Sequence, residues 1–112
     1  MKAHGSNGQV EYEGKRLVIR RKGILATMSQ DAPGASSIPL ARLRSVEFQS
    51  ASLFRSGYIR FVVEGENEAG SGLWKATRDP FAVMFKIGRQ QRAFKELRDA
   101  IEKRLNKKFR DP

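Results

Sequence analysis

The chain has 112 residues, 39% of them hydrophobic and 30% charged, a mixture typical of one globular domain rather than of a disordered chain. It contains no cysteine, which excludes disulfide scaffolds, thiolate metal sites and cysteine nucleophiles. Lysine and arginine outnumber aspartate and glutamate by 22 to 12, and the resulting net charge of +10 favours polyanionic partners.

No arrangement of residues in the sequence indicates catalysis. The single histidine, His4, cannot build a zinc site or a histidine-based triad without partners, and the carboxylates lack the spacing of an acid–base pair. Gly65 and Gly70 have the spacing of a phosphate-binding loop, but Ser71 stands where that loop needs a lysine. We therefore predict a noncatalytic protein with no cofactor and no bound metal.

Neither a signal peptide nor a membrane-spanning segment is predicted from the sequence. Residues 1–10 lack the apolar segment of a signal peptide, and no apolar run approaches the roughly 20 residues of a membrane-spanning helix. We expect a cytoplasmic protein with one domain over residues 1–112. Residues 1–7 are predicted to be a loose terminus, because glycine and small polar residues dominate its end.

Alternating apolar and polar residues predict about seven short antiparallel strands separated by glycine-rich or polar segments. The clearest is 58–63, in which every second side chain is apolar. The longest loop is predicted over 29–37, and one helical turn follows at 41–43. The predicted strands lie near residues 10–12, 16–20, 24–28, 46–48, 58–63, 73–77 and 81–85.

After Gly88 the apolar period changes from two residues to about 3.6, which predicts an amphipathic helix over 89–108. Its apolar stripe consists of Phe94, Leu97, Ile101 and Leu105. The stripe has to be buried, and an open end of a small barrel or sandwich is the natural place. The predicted fold class is mainly β (α+β), with about seven strands capped by this helix.

Two clusters of basic residues are candidates for binding an anion, a lipid headgroup or nucleic acid. The first lies around the first two predicted hairpins, and the second at the end of the helix, where cations also complement the helix dipole. Solvated surface is the simpler explanation of both clusters, and the one that we favour. The members are Lys15, Arg16, Arg20, Arg21 and Lys22 in the first cluster, and Lys103, Arg104, Lys107, Lys108 and Arg110 in the second.

An apolar pair, Leu53 and Phe54, lies in the serine-rich loop 50–57. An exposed pair would suit a bilayer interface or the groove of a partner, but we expect this pair to fold back on the barrel. Trp74 follows a glycine-rich segment, and we expect it to be buried, because base stacking requires several exposed aromatic residues.

Several short motifs occur in an order that is itself informative, and they cover residues 8–102. They are GQVEYEG at 8–14, VIRRKG at 18–23, IPL at 38–40, VEF at 46–48, GYIRF at 57–61, DPFAVMF at 79–85 and FKELR at 94–98. This order resembles an actinobacterial and phage family catalogued as domain of unknown function 4429, grouped with bacterial pleckstrin-homology-like domains. The resemblance implies a seven-stranded pleckstrin-homology-like barrel with a capping helix. It implies no activity and assigns no functional residues.

The leading functional hypothesis is a noncatalytic interaction module that binds a protein partner or its own copies. One alternative is peripheral binding to an anionic membrane through the basic faces and the Leu53–Phe54 loop, which would make the protein membrane-peripheral. The other alternative is non-specific nucleic-acid binding, which is less favoured because no base-reading motif is present.

Overall fold

The computed structural model describes residues 1–21, 35–68 and 72–110, which form two antiparallel sheets and two helices. The first sheet has the order β1-β2-β3-β4 and the second the order β5-β6-β7. A short 3-10 turn, Leu40–Arg42, joins the sheets. The elements are β1 Lys2–His4, β2 Gly8–Glu13, β3 Arg16–Arg21, β4 Ala35–Pro39, β5 Leu43–Gln49, β6 Gly57–Val63, α1 Leu73–Arg78, β7 Ala82–Phe85 and α2 Arg89–Arg110.

This arrangement confirms the predicted fold class of seven antiparallel strands and a C-terminal helix, but two of the strands are not those predicted. The predicted loose terminus contains β1, a three-residue strand too short to show alternation, in which Ala3 is buried opposite Val10. The predicted loop 29–37 ends in β4, which pairs with β3. The predicted strand 24–28 lies outside the described residues.

The predicted strand 73–77 is wrong, because this segment forms the helix α1. A short apolar run bounded by glycine does not distinguish a strand from a helix by its period. The helix packs Ala76 against Tyr58, Ala82 and Met84, and so covers the face of the second sheet that points away from the main core. The side chain of Trp74 is not among those described, so its predicted burial stays a prediction.

The hairpin of β2 and β3 shows how alternation sorts the side chains of the first sheet. Glu13 pairs with Arg16 around a two-residue turn that starts at Gly14, whose φ of 57° favours glycine. Leu17 and Ile19 therefore point into the core, whereas Arg16 and Arg20 point outward. Residues that are neighbours in the sequence thus lie on opposite faces of the sheet.

The helix α2 closes the space between the sheets with the stripe predicted from the sequence. Phe94, Leu97 and Ile101 are fully buried, and Leu105 is 6% exposed. The ring of Phe85 stacks on Phe48 at a centroid distance of 5.2 Å and on Phe94 at 5.2 Å. This stack connects β5, β7 and α2 in one core. Neither helix combines the length and the apolar character that crossing a membrane requires, as far as the described residues extend.

Phe85 and Phe54 form a matched pair for testing this core, because the first ring is 0% exposed and the second 98% exposed. We expect Phe85→Ala to lower the free energy of unfolding by about 3–5 kcal/mol, since it removes the central ring of the stack. Phe54→Ala should change it by less than about 0.5 kcal/mol. Urea denaturation followed by circular dichroism measures both; equal losses would contradict the assigned core.

Candidate functional site

A buried charged network lies on the face of the second sheet that α1 covers. Arg60, in the middle of β6, is 1% exposed. Its Nε donates to Asp79 Oδ2 at 2.7 Å, and its Nη1 donates to Glu47 Oε2 at 2.8 Å. Its Nη2 donates to the backbone carbonyl of Asn67. Glu47 is the cross-strand partner of Arg60, so the pairing of β5 with β6 already brings these two charges together.

Asn67 and Asp79 complete the network. The Asn67 Nδ2 donates to Asp79 Oδ2 at 2.7 Å and to the carbonyl of Phe61 at 2.9 Å, and its Oδ1 accepts from the Val63 N–H at 2.7 Å. The Phe81 N–H donates to Asp79 Oδ1 at 2.8 Å. Throughout the described part of the chain, no buried side-chain polar atom lacks a partner. The network therefore offers no free group to a ligand, and it anchors the segment after β6 to the sheet.

The network changes the pKa of Tyr58 and of Glu47 in opposite directions. Burial raises the pKa of Tyr58, and the hydrogen bond that it donates to the negatively charged Glu47 raises it further, to about 12. For Glu47, burial raises the pKa, but hydrogen bonds from Tyr58, the Gly72 N–H and Arg60 outweigh burial and hold the pKa below its usual value.

The first basic cluster is dispersed by the fold. Arg16 donates to Ser37 Oγ at 2.7 Å on the outer face of the first sheet, and Arg20 lies 3.9 Å from Glu11 Oε2 on the same face. Arg21 points the other way and donates to the backbone carbonyls of Thr77 and Asp79 at the end of α1. Lys15 is exposed in the β2–β3 turn. Lys22 lies outside the described residues.

The second basic cluster lies along the C-terminal half of α2. Lys103 and Arg104 are exposed on this helix. Lys107, Lys108 and Arg110 belong to its last turns.

The Leu53–Phe54 pair does not fold back on the barrel. Leu53 is 82% exposed and Phe54 98% exposed, at the top of a turn in which the backbones of Ser52 and Arg55 exchange hydrogen bonds of 2.8 and 3.4 Å. We call these two side chains the apolar tip. Below the turn, Ala51 is 8% exposed, and its N–H donates to Gln91 Oε1 at 2.6 Å. The tip is therefore held beside the start of α2.

Exposed cations lie on the two segments that the Ala51–Gln91 contact joins, and sequence reasoning did not single them out. We call them the cationic collar: Arg55, Lys86, Arg89, Arg92 and Lys95. No acidic residue occurs between Glu47 and Glu64 or between Asp79 and Glu96, a signal that the sequence does contain. Unlike Arg42 and Arg44, which pair with glutamates, the collar side chains form no ion pair or hydrogen bond with other described residues.

The start of α2 is an unfavourable place for cations. The first turn of the helix contains no acidic residue, although Arg89 and Arg92 lie within its first four positions. The positive end of the helix dipole opposes such cations by about 0.3–1 kcal/mol each. Their placement therefore lowers the stability of the helix, and residues that break a local rule in this way are often functional.

A family model described as a domain of unknown function (DUF4429) matches residues 10–102. The chain belongs to this family. The match to DUF4429 extends from β2 into α2, and it includes the apolar tip and the whole collar. No curated protein and no solved structure matches the chain. Functional inference for this DUF4429 domain therefore depends on its own geometry.

The raised pKa of Tyr58 makes the folded protein less stable in alkali. Because its folded pKa of about 12 lies above the ordinary value of 10.0, the neutral phenol contributes stability below pH 10, and this contribution is lost as the pH rises towards 12. In the Tyr12→Phe variant, phenolate absorbance should titrate with a midpoint near 12. Adding Glu47→Gln should lower the midpoint; a midpoint of 10 in protein that circular dichroism shows to be folded would refute the contact.

Removal of Arg60 tests whether the network is structural. Arg60→Met leaves the Asp79 carboxylate, which is 4% exposed, without the cation that is hydrogen-bonded to it, and we expect a loss of about 3–5 kcal/mol in the free energy of unfolding. The control is Arg44→Met, whose ion pairs with Glu64 and Glu68 are half exposed and contribute about 0–1 kcal/mol. Urea denaturation measures both. Similar small losses would mean that the buried pairing is not formed.

Proposed function

We propose that this DUF4429 domain is a noncatalytic, pleckstrin-homology-like module that docks on anionic membrane surfaces through the apolar tip and the cationic collar. The observation that carries the proposal is the exposure of Leu53 and Phe54, 82% and 98%, beside two segments, 48–63 and 80–95, that contain cations and no acidic residue. The arrangement of four plus three strands, closed by a C-terminal helix, supports the pleckstrin-homology-like assignment.

Peripheral membrane binding requires two signals, and this end of the domain supplies both. Each apolar side chain that leaves water contributes roughly 1.5–3 kcal/mol when it is fully buried, and less when it reaches only the interfacial region. Each lysine or arginine near an anionic surface contributes about 1 kcal/mol. Ile87, 49% exposed just before α2, adds a third apolar side chain beside the collar.

The tip is ordered before it binds, which favours docking. The Ser52–Arg55 hydrogen bonds close the turn, and the Phe54 N–H donates to Ser52 Oγ at 3.3 Å. Ala51 anchors the turn in the core and to Gln91. Little backbone entropy remains to be lost when the tip enters the interface, so more of the burial free energy appears as affinity.

Cosedimentation with vesicles at about 0.15 M salt, where screening shortens non-specific attraction to about 8 Å, tests the proposal. We expect retention on anionic vesicles and not on neutral vesicles. The double substitution Leu53→Ser and Phe54→Ser should lower the affinity by at least about tenfold, since 1.4 kcal/mol already corresponds to this factor. The control, Leu53→Met with Phe54→Leu, keeps the apolar area and should bind like the unmodified chain.

Two results would overturn this function. If anionic vesicles retain neither the unmodified chain nor the control, the tip does not dock on membranes. If light scattering then gives the mass of two chains for the unmodified protein and of one chain for the serine variant, the tip buries itself in a second copy. That outcome would return the domain to the self-association expected from its sequence.

A further inference from the structure

We call the apolar tip and the cationic collar together the docking end. We infer that the affinity of the docking end for a bilayer depends on the density of negative charge and not on the structure of one lipid headgroup. This inference rests on the proposed membrane function and specifies the ligand: any anionic phospholipid at sufficient surface density. Two observations support it: the charged groups of the collar are exposed and not held in place by other described residues, and two cavities of the described chain are lined by other residues.

The collar lacks the features of a stereospecific site. Recognition of one headgroup needs polar groups that converge on a concave pocket and are held there by neighbouring side chains. The collar side chains instead come from the turn at Arg55, from Lys86 before α2 and from the first two turns of this helix. All are exposed, and no other described residue fixes the position of their charged groups.

Two cavities of the described chain have linings that do not include the apolar tip or the cationic collar. One, of about 140 Å³, is lined by residues of β1, β2 and β3, including His4 and Arg20. The other, of about 250 Å³, is lined by residues that include Ser36, Arg42 and Glu66. Neither cavity is lined by a residue of the tip or the collar. The first contains Arg20 and is therefore the place where a headgroup-specific rival would bind.

A surface of unconstrained cations gives a characteristic binding behaviour. Each cation adds attraction that depends on the local density of negative charge, so affinity rises steeply with the fraction of anionic lipid. At equal charge the identity of the headgroup has little effect. On neutral vesicles only the apolar tip contributes to binding. One signal alone gives marginal affinity, so these vesicles should not retain the protein.

The experiment compares phosphatidylcholine vesicles that contain phosphatidylserine, phosphatidylglycerol or a phosphoinositide at matched total negative charge. We expect dissociation constants that agree within about twofold across the three compositions, as generic electrostatic attraction requires. A preference above about tenfold for one headgroup, abolished by Arg20→Gln, would overturn the inference and leave the proposed function intact. Failure of all three compositions to bind would instead refute the proposed function itself.

A matched pair of variants locates the attraction. Arg89→Gln with Arg92→Gln removes two charges from the collar, and we expect about a 25-fold loss of affinity, roughly fivefold per cation. Arg42→Gln with Arg44→Gln removes the same charge where the 3-10 turn meets β5, about 20 Å along the strand from its end at Gln49, and should cost less than twofold. Equal losses from both pairs would show that net charge alone drives binding and would overturn the assignment to the collar.

Discussion

The stack of Phe48, Phe85 and Phe94 determines the layout of this molecule. Its three rings come from β5, β7 and α2, so each of these elements is positioned by the other two. Phe85 also faces Gly57 at the start of β6, where a Cβ atom would lie 2.5 Å from the ring, so no larger residue fits at this point. Because Phe94 lies in the second turn of α2, the stack brings the helix start to the loop between β5 and β6 and so creates the docking end.

The net charge of the chain is +10, and its cations differ in whether they are paired within the protein or exposed without a partner. Arg60 forms ion pairs with two carboxylates inside the protein, and Arg21 donates hydrogen bonds to backbone carbonyls at the end of α1. Arg42 and Arg44 neutralise glutamates that follow β6. The docking end has no such neutralisation, and there the surplus becomes a local positive potential beside exposed apolar groups. The overall charge therefore underestimates how asymmetric the molecule is.

Much of the fold could be predicted from the sequence, because α2 and β6 show long and regular apolar periods. The prediction failed at β1 and α1. These elements have three and six residues, too few to show the apolar period of a strand or of a helix. The apolar pair was visible in the sequence, but it was expected to fold back on the barrel, and its exposure appears only in the structure. The collar was not recognised, because the Gln91–Ala51 contact joins its two segments only in the fold. Conversely, the dense cluster around Arg20 and Arg21 was separated by strand alternation, which sends adjacent side chains to opposite faces.

In the turn that carries the apolar tip, the residues that stabilise the fold differ from the side chains that are available for binding. The backbone of the turn is closed by its own hydrogen bonds and its base is anchored by Ala51, while the two side chains at its top contribute almost nothing to the core. Substitutions at positions 53 and 54 are therefore nearly free of any stability constraint. Evolution, or an engineer, can exchange the displayed pair and redirect the domain to another surface on an unchanged scaffold.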